Sequence, residues 1–290
     1  AIERERHPGP HLSDMITQLN GAKRFSKLDL NKGYHQLELH ESSRYITTFS
    51  THQGLFRYKR LSFGVSSAAE IFQEAIRQVI SAIPNTLNYS DDILVFGETT
   101  KEHDKALSRT CRALLAANLT LNREKCEFNK TTLKFYGHLF SAAGMKPDPD
   151  KVKALSDTPR PGDVSDVRSF LGMASYCARY IKDYATISHP LRELTRQGQA
   201  FNWSTACEHA ANKIKASVAS ADTLAYFNPR WKTELTVDAS PVGLGAILAQ
   251  HQNEDEPRHI IAYASRSLTS TEKAYSQSEK ESLAVVWACE

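Results

Sequence analysis

The sequence has few of the features that mark secreted, zinc-binding or membrane proteins. Its 290 residues include five cysteines, which lie far apart without C-x-x-C spacing, so neither a disulfide framework nor a zinc site is predicted. No apolar run approaches the roughly 20 residues that span a bilayer. The first ten residues, AIERERHPGP, lack the apolar core of a signal peptide. We therefore expect an intracellular protein without a membrane partner.

An excess of charge of one sign is also lacking, because the formal net charge is only +3. That value is too small to predict a nucleic-acid partner by itself. Residues 21–60, however, contain eight Lys or Arg against three acidic residues, interleaved with Phe and Tyr. Cations mixed with aromatic rings suit a phosphate backbone with stacked bases, although a solvated, strand-rich surface gives much the same pattern.

The order of secondary-structure signals in the first half predicts an α+β sheet domain. Four β-prone stretches typical of a meander come first, at 25–30, 35–40, 45–51 and 54–61. Apolar residues at helical spacing then predict helices over 66–83 and 101–119, each followed by a hairpin. Strands, helix, hairpin, helix and hairpin in this order indicate a sheet covered by helices.

The composition changes at residues 146–163, where four Pro and one Gly interrupt the chain. We interpret this stretch as a domain boundary. Helical patterns at 163–184 and 204–221 predict a small α-rich module after it. Strand patterns at 231–250 and 259–268, followed by a final helical pattern, predict a third unit.

Two adjacent carboxylates, Asp91 and Asp92, lie between β-prone stretches in NTLNYSDDILVFGETT. Like charges flanked by apolar residues cost stability unless a cation binds them, although a solvated hairpin tip is the simpler explanation for an isolated pair. Asp29 lies in another β-prone stretch, FSKLDL. If that strand pairs beside the hairpin, the three carboxylates converge on one face of a sheet. Such a site could bind two Mg²⁺ ions for attack on phosphorus.

Five blocks of sequence follow one another in an informative order. They are FSKLDLNKGYHQLELHESSRYITTFST, GLFRYKRLSFGVSSAAEIFQEAI, NYSDDILVFG, LTLNREKCEF and FYGHLFSAAGMKPDPDKV, and YSDD matches a Tyr-X-Asp-Asp motif. Together they resemble the reverse transcriptase of gypsy-type LTR retrotransposons, which is part of the pol polyprotein. The resemblance covers essentially the whole chain.

The resemblance implies an α+β fold: a right-hand polymerase with partial fingers, palm and helical thumb, followed by the first half of a ribonuclease H-like domain. Partial fingers and palm would occupy residues 1–145. A helical thumb or connection module would occupy 146–225. The N-terminal part of a ribonuclease H-like domain, truncated at the chain end, would occupy 226–290.

The resemblance also implies roles for individual residues of the polymerase part. Asp29 and Asp91 would be the main ligands of the catalytic metal ions, with Asp92 as a supporting carboxylate. Tyr34 would be the aromatic gate that excludes the 2′-hydroxyl of a ribonucleotide; a core aromatic at a strand end is the alternative. Segments that line the nucleotide pocket and grip the primer end are implied too, although ordinary sheet packing would also explain them. They comprise Phe63 and Gly64 for the nucleotide, and Phe135, Tyr136, Gly137, His138 and Leu139 for the primer.

VDASPVGLGAILAQ and YSQSEKESLAVVWA resemble the first half of a ribonuclease H domain, whose two-metal site uses four carboxylates. Asp238 would be the first and Glu281 the second, with Glu279 as its substitute. The other two would lie beyond Glu290, so ribonuclease H activity is not expected from this chain. Family members also carry further fingers residues upstream.

The implied function is RNA-directed DNA polymerase, which transfers nucleotides from dNTPs to a primer 3′-hydroxyl on an RNA or DNA template. The implied cofactor is Mg²⁺, as two ions, with Mn²⁺ as a substitute, and the implied location is a cytoplasmic particle, the nucleus or both. The alternative is a catalytically inactive relic or domesticated fragment that binds nucleic acid. A third hypothesis, a two-carboxylate hydrolase, explains none of the other motifs.

Overall fold

The structure, a computed structural model, describes residues 12–253 and 257–290. The chain forms two compact units: the first ends at Tyr136 and the second begins at Gly137. A membrane-spanning helix is not found in either described range.

The first unit contains a four-stranded sheet with strand order β4-β5-β1-β6 and a separate hairpin, β2-β3. Its helices and strands are α1 (Leu12–Gln18), β1 (Arg24–Asp29), β2 (Phe49–Thr51), β3 (Gly54–Phe56), α2 (Ala68–Ile80), β4 (Thr86–Tyr89), β5 (Asp92–Gly97), α3 (Thr100–Ala116), β6 (Glu127–Lys130) and β7 (Thr132–Phe135). The predicted helices at 66–83 and 101–119 are confirmed as α2 and α3.

The core of the first unit lies between the sheet and its helices. Leu28 of β1 and Ile93 and Val95 of β5 pack in one buried cluster with Phe72 and Ile76 of α2. Burial of each such side chain contributes about 1.5–3 kcal/mol, and truncating Ile76 to Ala would cost about 2–5 kcal/mol of stability. The packing holds the end of β1 and the start of β5 side by side.

A chain of hydrogen bonds fastens α3 and β6 to β1. The backbone N–H of Asn129 donates to the hydroxyl of Ser26 (2.9 Å), which lies 2.8 Å from Nε2 of His103. Nδ1 of His103 lies 2.8 Å from Oδ1 of Asp104. Ser26 and His103 are completely buried, so this Ser, His and Asp series meets no solvent-borne substrate. It satisfies polar groups that would otherwise be buried without partners.

The predicted meander is wrong over 35–40 and over the first half of 45–51. Between β1 and residue 61, the strands that form are β2 and β3. The side-chain amide of Gln36 explains part of the difference, because it accepts from the N–H of Thr120 (2.6 Å) and donates to the Thr120 carbonyl (3.1 Å). These long-range bonds hold a turn where the local alternation favours a strand. Two 3-10 helices replace the predicted strands, at Gly33–Gln36 and Glu41–Thr47.

The second unit contains a hairpin, β8-β9, four helices and a three-stranded antiparallel sheet of order β10-β11-β12 with two further helices. Its elements are β8 (His138–Ser141), β9 (Gly144–Pro147), α4 (Pro149–Asp157), α5 (Val164–Tyr176), α6 (Tyr184–Leu194), α7 (Thr205–Ala219), β10 (Lys232–Ala239), β11 (Gly243–His251), β12 (His259–Ser267), α8 (Ser270–Lys273) and α9 (Gln277–Cys289). The strands and final helix predicted for the third unit are confirmed.

The helix predicted over 163–184 is in fact a helix followed by a break. α5 ends at Tyr176, and α6 begins only at Tyr184, after Asp183 adopts a left-handed backbone with φ of 55°. Asp tolerates that conformation better than most residues. The apolar spacing continues through the break, which is why periodicity alone did not detect it.

The Pro-rich stretch at 146–163 was predicted to be a domain boundary. It contains a helix, α4. Pro149 occupies the first turn of α4, and the Asp148 carboxylate accepts from the N–H of Asp150 (3.0 Å). Proline at the first helical position and Asp at the N-cap both favour a helix start. The predicted domain limits at 145 and 225 stay predictions.

Candidate active site

Three carboxylates of the first unit lie at one end of the sheet. Asp29 is the last residue of β1 and Asp92 the first of β5, and the two are antiparallel partners. Cross-strand partners project from the same face of a sheet. Asp91 precedes β5 in the turn, where its carbonyl accepts from the N–H of Leu30 (3.2 Å). The predicted convergence of Asp29 and Asp92 is therefore built into the register of β1 and β5.

The glycine at position 33 leaves room for Asp91. Gly33 has a φ of 45°, and a Cβ there would lie 3.1 Å from Oδ2 of Asp91. A side chain at position 33 would crowd the carboxylate and strain the backbone. The segment after β1 thus approaches Asp91 closely because residue 33 is glycine.

Without a bound cation, the ionised carboxylates of this site are electrostatically unfavourable. Burial, and then the charge of Asp29, raise the pKa of Asp91, against the opposing effects of Ser90 and Lys125. Burial also raises the pKa of Asp92, although Lys27 opposes the shift. Lys125 Nζ lies 4.0 Å from Oδ2 of Asp29. These two lysines offset part of the negative charge.

The carboxylates suit a divalent cation. Oδ1 of Asp91 is buried and has no hydrogen-bond partner among the described residues, and carboxylate oxygens are the donors that Mg²⁺ and Mn²⁺ prefer. A cation would satisfy that oxygen and favour the ionised carboxylates. The described ranges nevertheless contain no group of three or more His, Cys, Asp or Glu side chains that is already arranged to bind a metal ion. The donor chemistry fits, and the side chains would have to close around the ion.

Tyr34 lies beside this group, in the 3-10 helix after β1. Its ring packs edge-on against Phe72 (centroid distance 5.4 Å) and tilted against Phe63 (5.1 Å). Burial and the nearby charge of Asp91 raise the pKa of the Tyr34 phenol. One side of the ring therefore contacts the core, as expected for a core aromatic at a strand end. The phenol nevertheless lies close enough to Asp91 to feel its charge.

Phe63 and Gly64 present an open surface next to Tyr34. Phe63 is 70% exposed, and its ring also contacts His35 at 5.4 Å. Gly64 has a φ of 91° and no atom within 4 Å of a Cβ position. Tyr34 and Phe63, both predicted to bind the nucleotide, are thus in contact with each other.

The primer segment divides between the two units. In the first unit Phe135 is buried, whereas Tyr136 is partly exposed and accepts a 2.6 Å hydrogen bond from the hydroxyl of Tyr89. The two tyrosine rings are 3.9 Å apart. Tyr136 is thereby joined to the tyrosine of the Tyr-X-Asp-Asp motif, while the Phe135 side chain belongs to the core.

In the second unit, His138 is also a core residue. Its Nδ1 lies 2.8 Å from the hydroxyl of Tyr180, and burial, followed by Arg179, lowers the pKa of His138 to about 4. Protein atoms surround the side chains of Phe135 and His138, so a primer could meet these two residues only at their backbone. The primer contact stays a prediction for all of residues 135–139.

The carboxylates predicted for the ribonuclease H-like domain are arranged differently. Asp238 is exposed on β10, opposite Gly245. Glu281 on α9 accepts from the amide of Gln277 (2.6 Å), which also donates to the carbonyl of Ala239 (2.9 Å). Gln277 thus holds Glu281 near the residue that follows Asp238.

Glu279 has a separate structural role. Its carboxylate accepts from the N–H and the hydroxyl of Ser276, the N-cap of α9. These bonds lower the pKa of Glu279 and make it part of a capping box. Glu281, rather than Glu279, therefore remains available as the second carboxylate.

Sequence reasoning missed the residues that support the Asp hairpin. Gln73 of α2 accepts from the N–H of Ser90 (2.5 Å) and donates to the carbonyl of Asn88 (3.1 Å). The thiol of Cys126 accepts from the N–H of Asp29 at 3.4 Å. No local signal marks Gln73, but Lys125 and Cys126 lie inside the block LTLNREKCEF.

Two family matches agree with a sheet that has carboxylates at the ends of β1 and β5 and with a second sheet later in the chain. Residues 3–140 match the family described as reverse transcriptase (RNA-dependent DNA polymerase), and 203–290 match the RNase H-like domain found in reverse transcriptase. The chain belongs to the reverse transcriptase family, among gypsy-type retrovirus-related Pol polyproteins.

Curated relatives include two Pol polyproteins of Drosophila melanogaster. The chain is 37% identical to the retrovirus-related Pol polyprotein from transposon opus over 98% of its own length and 29% of the relative's. The chain is 34% identical to the retrovirus-related Pol polyprotein from transposon gypsy, over 98% of its own length and 28% of the relative's. The chain spans less than a third of these relatives.

Two solved structures confirm the predicted fold class. The foamy viral protease-reverse transcriptase dRH in complex with double-stranded DNA has a TM-score of 0.89 and 22% identity, covering 99% of this chain and 50% of that one. The foamy viral enzyme in complex with an RNA/DNA hybrid has a TM-score of 0.85 and 22% identity, covering 97% and 38%. The chain thus has an α+β reverse transcriptase fold followed by an RNase H-like domain.

Proposed function

We propose that this chain carries the polymerase centre of an RNA-directed DNA polymerase, which joins dNTPs to a primer 3′-hydroxyl. The observation that carries the proposal is the pairing of Asp29 with Asp92 across β1 and β5, beside Asp91, whose buried Oδ1 has no hydrogen-bond partner in the part of the chain that the structure describes. Carboxylates forced together against their own repulsion are characteristic of sites that bind a cation for phosphoryl transfer.

In this proposal Asp29 and Asp91 hold divalent cations, and Asp92 supports them from the adjoining strand position. Two Mg²⁺ ions, or Mn²⁺ in their place, would supply activation of the primer hydroxyl and neutralisation of the leaving pyrophosphate. Lys125 opposes part of the rise in the pKa of Asp91, and Lys27 opposes part of the rise in the pKa of Asp92. Gln73 holds the turn that positions Asp91.

Tyr34 and Phe63 form the proposed sugar side of the dNTP site. The Tyr34 ring is wedged between Phe72 and Phe63, so it cannot move aside readily. A rigid ring under the sugar excludes a 2′-hydroxyl by contact alone. The exposed face of Phe63 leaves a surface that a nucleotide can cover.

The proposed template partner is RNA or DNA with an annealed primer. The named foamy viral structures contain double-stranded DNA and an RNA/DNA hybrid, which supports this choice. Aromatic and cationic residues alternate in the first unit; Tyr45, Phe49 and Tyr58 are exposed, as are Arg57 and Lys59. Exposed rings and cations together suit stacking on bases and contact with phosphates. We also place this activity inside the cell, in a particle or the nucleus.

Primer extension on an RNA template with Mg²⁺ tests the proposal. Asp91→Asn keeps the shape of the side chain and removes its charge, so extension should fall by about 10²-fold or more. Glu98→Gln is the matched control, because Glu98 is an exposed acid just beyond β5 that pairs with Lys23 at the surface. Duplex binding without Asp91-dependent extension would favour the inactive nucleic-acid-binding alternative.

A further inference from the structure

A basic cavity in the second unit is separate from every carboxylate considered above. It has a volume of about 340 Å³ and lies among α5, α6, α8 and the end of β12. Four side chains with permanent positive charge line it: Arg168, Arg192, Arg196 and Lys273. The lining contains a single acid, Glu193. The cavity therefore has a net positive charge.

Glu193 is shared between two cations and a histidine. Its carboxylate lies 2.9 Å from Arg196, 3.7 Å from Lys273 and 3.6 Å from His189. One carboxylate can neutralise only one unit of charge, so the group keeps a positive excess. Such an excess within a small concave surface attracts an anion.

The arginines are held in place by contacts of their own. Arg168 donates to the carbonyl of Thr195 (3.3 Å), and Arg192 donates to the hydroxyl of Ser188 (3.0 Å). The guanidinium of Arg192 also lies over the ring of Tyr184 at 5.5 Å. Guanidinium groups fixed in this way lose little conformational entropy when they bind an oxyanion.

One residue that lines the cavity, Ser267, has a hydroxyl with an unsatisfied hydrogen bond among the described residues. Oγ of Ser267 is buried and has no hydrogen-bond partner among the described residues. A buried hydroxyl without a partner is costly. An oxyanion in the cavity would give the arginines a counter-charge, and rotation of the Ser267 side chain toward it would give the hydroxyl an acceptor.

We propose that this cavity binds a phosphate group, and that its source is a backbone phosphodiester of bound nucleic acid. Planar guanidinium groups match phosphate oxygens in geometry and charge. The choice of source rests on the proposed function, whereas the phosphate chemistry rests on the cavity alone. A free phosphate is the other source of the same chemistry.

The electrostatics of His189 agree with this assignment. Burial, then Lys273 and Arg196, lower the pKa of His189, against the opposing effect of Glu193. A bound phosphate would oppose the lysine and the arginine and raise the pKa of His189. The imidazole therefore serves as a reporter inside the cavity.

The first experiment measures duplex binding against salt concentration for Arg196→Gln combined with Lys273→Gln. Loss of one phosphate contact should reduce the slope of log affinity against log salt by about 1 and weaken binding roughly 3- to 10-fold. Arg230→Gln is the matched control, since Arg230 is an exposed arginine of the same unit outside the cavity. Glu193→Gln should have the opposite effect and tighten binding.

The second experiment titrates inorganic phosphate while NMR follows the pKa of His189 in the unaltered chain and in the double variant. A reduced salt slope supports the phosphodiester source. An unchanged slope with a phosphate-dependent rise in the His189 pKa, absent from the double variant, supports the site with a free phosphate as its source. No slope change and no His189 response would overturn the proposal. The phosphate titration of His189 involves neither nucleic acid nor extension, and primer extension is measured separately, so failure here is distinguishable from failure of the polymerase assignment.

Discussion

The two groups of predicted catalytic carboxylates differ in how much strain their surroundings impose. In the first unit, burial raises the pKa of Asp91 and of Asp92, and Oδ1 of Asp91 has no hydrogen-bond partner within residues 12–253 and 257–290. In the second unit, Asp238 is exposed, and Glu281 is satisfied by the Gln277 amide. The comparison teaches that two motifs of equal clarity in sequence can differ in readiness for a cation.

The strand register causes this difference. Asp29 and Asp92 are direct antiparallel partners, so their separation is fixed by the sheet itself. Asp238 and Glu281 come from a strand and a helix, and a glutamine side chain spans the space between the strand end and the helix. Backbone pairing forces proximity, whereas a side-chain bridge leaves each acid its own solvation.

The largest effect should come from neutralising one acid in each group. Asp29→Asn should reduce primer extension by about 10²- to 10⁴-fold, since the proposed metal site loses a charge that it requires. Asp238→Asn, at an exposed position, should change extension by less than about twofold. Equal effects of the two substitutions in a primer-extension assay would break the comparison.

A smaller, more selective effect is expected at Tyr34. Tyr34→Ala removes the ring that lies between Phe63 and Phe72, so ribonucleotide incorporation should rise about 10-fold or more while dNTP use falls modestly. Single-nucleotide extension with dNTP and rNTP measures the ratio. Tyr275→Ala is the control, because Tyr275 is an exposed tyrosine of the second unit, outside this contact. Unchanged discrimination would leave Tyr34 as a core residue only.

Divalent cations should stabilise the first group selectively. At a Mg²⁺ concentration ten times the dissociation constant, the gain in unfolding free energy is about 1.4 kcal/mol, which corresponds to a rise of a few degrees in Tm. Thermal unfolding with and without Mg²⁺ measures this gain. Asp29→Asn should lose most of it and Asp238→Asn should keep it; a gain that survives Asp29→Asn would refute the metal assignment.

The smallest effect concerns pH in the absence of metal. Because the pKa of Asp91 is raised above its ordinary value of 3.8, the folded chain holds this proton more tightly than the unfolded chain. The associated stability is present at low pH and is lost as the pH rises above 3.8 through the raised pKa. Asp91→Asn should therefore gain stability relative to the unaltered chain as pH rises through that range, as paired denaturant titrations would measure.

Much of the fold could be predicted because its signals are local. The spacing of apolar residues was sufficient to predict α2 and α3. The β-prone stretches around Asp29, Asp91 and Asp92 were sufficient to predict β1 and the hairpin of β4 and β5. The 3-10 helices after β1 could not be predicted, because Gln36 fixes one of them through Thr120, far along the chain.

The site was predicted less completely than the fold. The support of the hairpin by Gln73 depends on a helix lying beside a strand, which no spacing reveals. The motif also could not distinguish Phe135 and His138, whose side chains are buried, from Tyr136, whose side chain is partly exposed. Aromatic side chains of one motif are therefore buried at some positions and exposed to solvent at another.

The hydrogen bond from Asn129 to buried Ser26 has a consequence for the dynamics of the sheet. Asn129 is an exposed residue on β6, at the edge of the sheet, where amide protons usually exchange rapidly with solvent. Its N–H instead ends on a hydroxyl that no water reaches. The Asn129 amide should therefore exchange with deuterium only when β6 separates from β1, which makes this surface position a native reporter of opening between these two strands at Ser26.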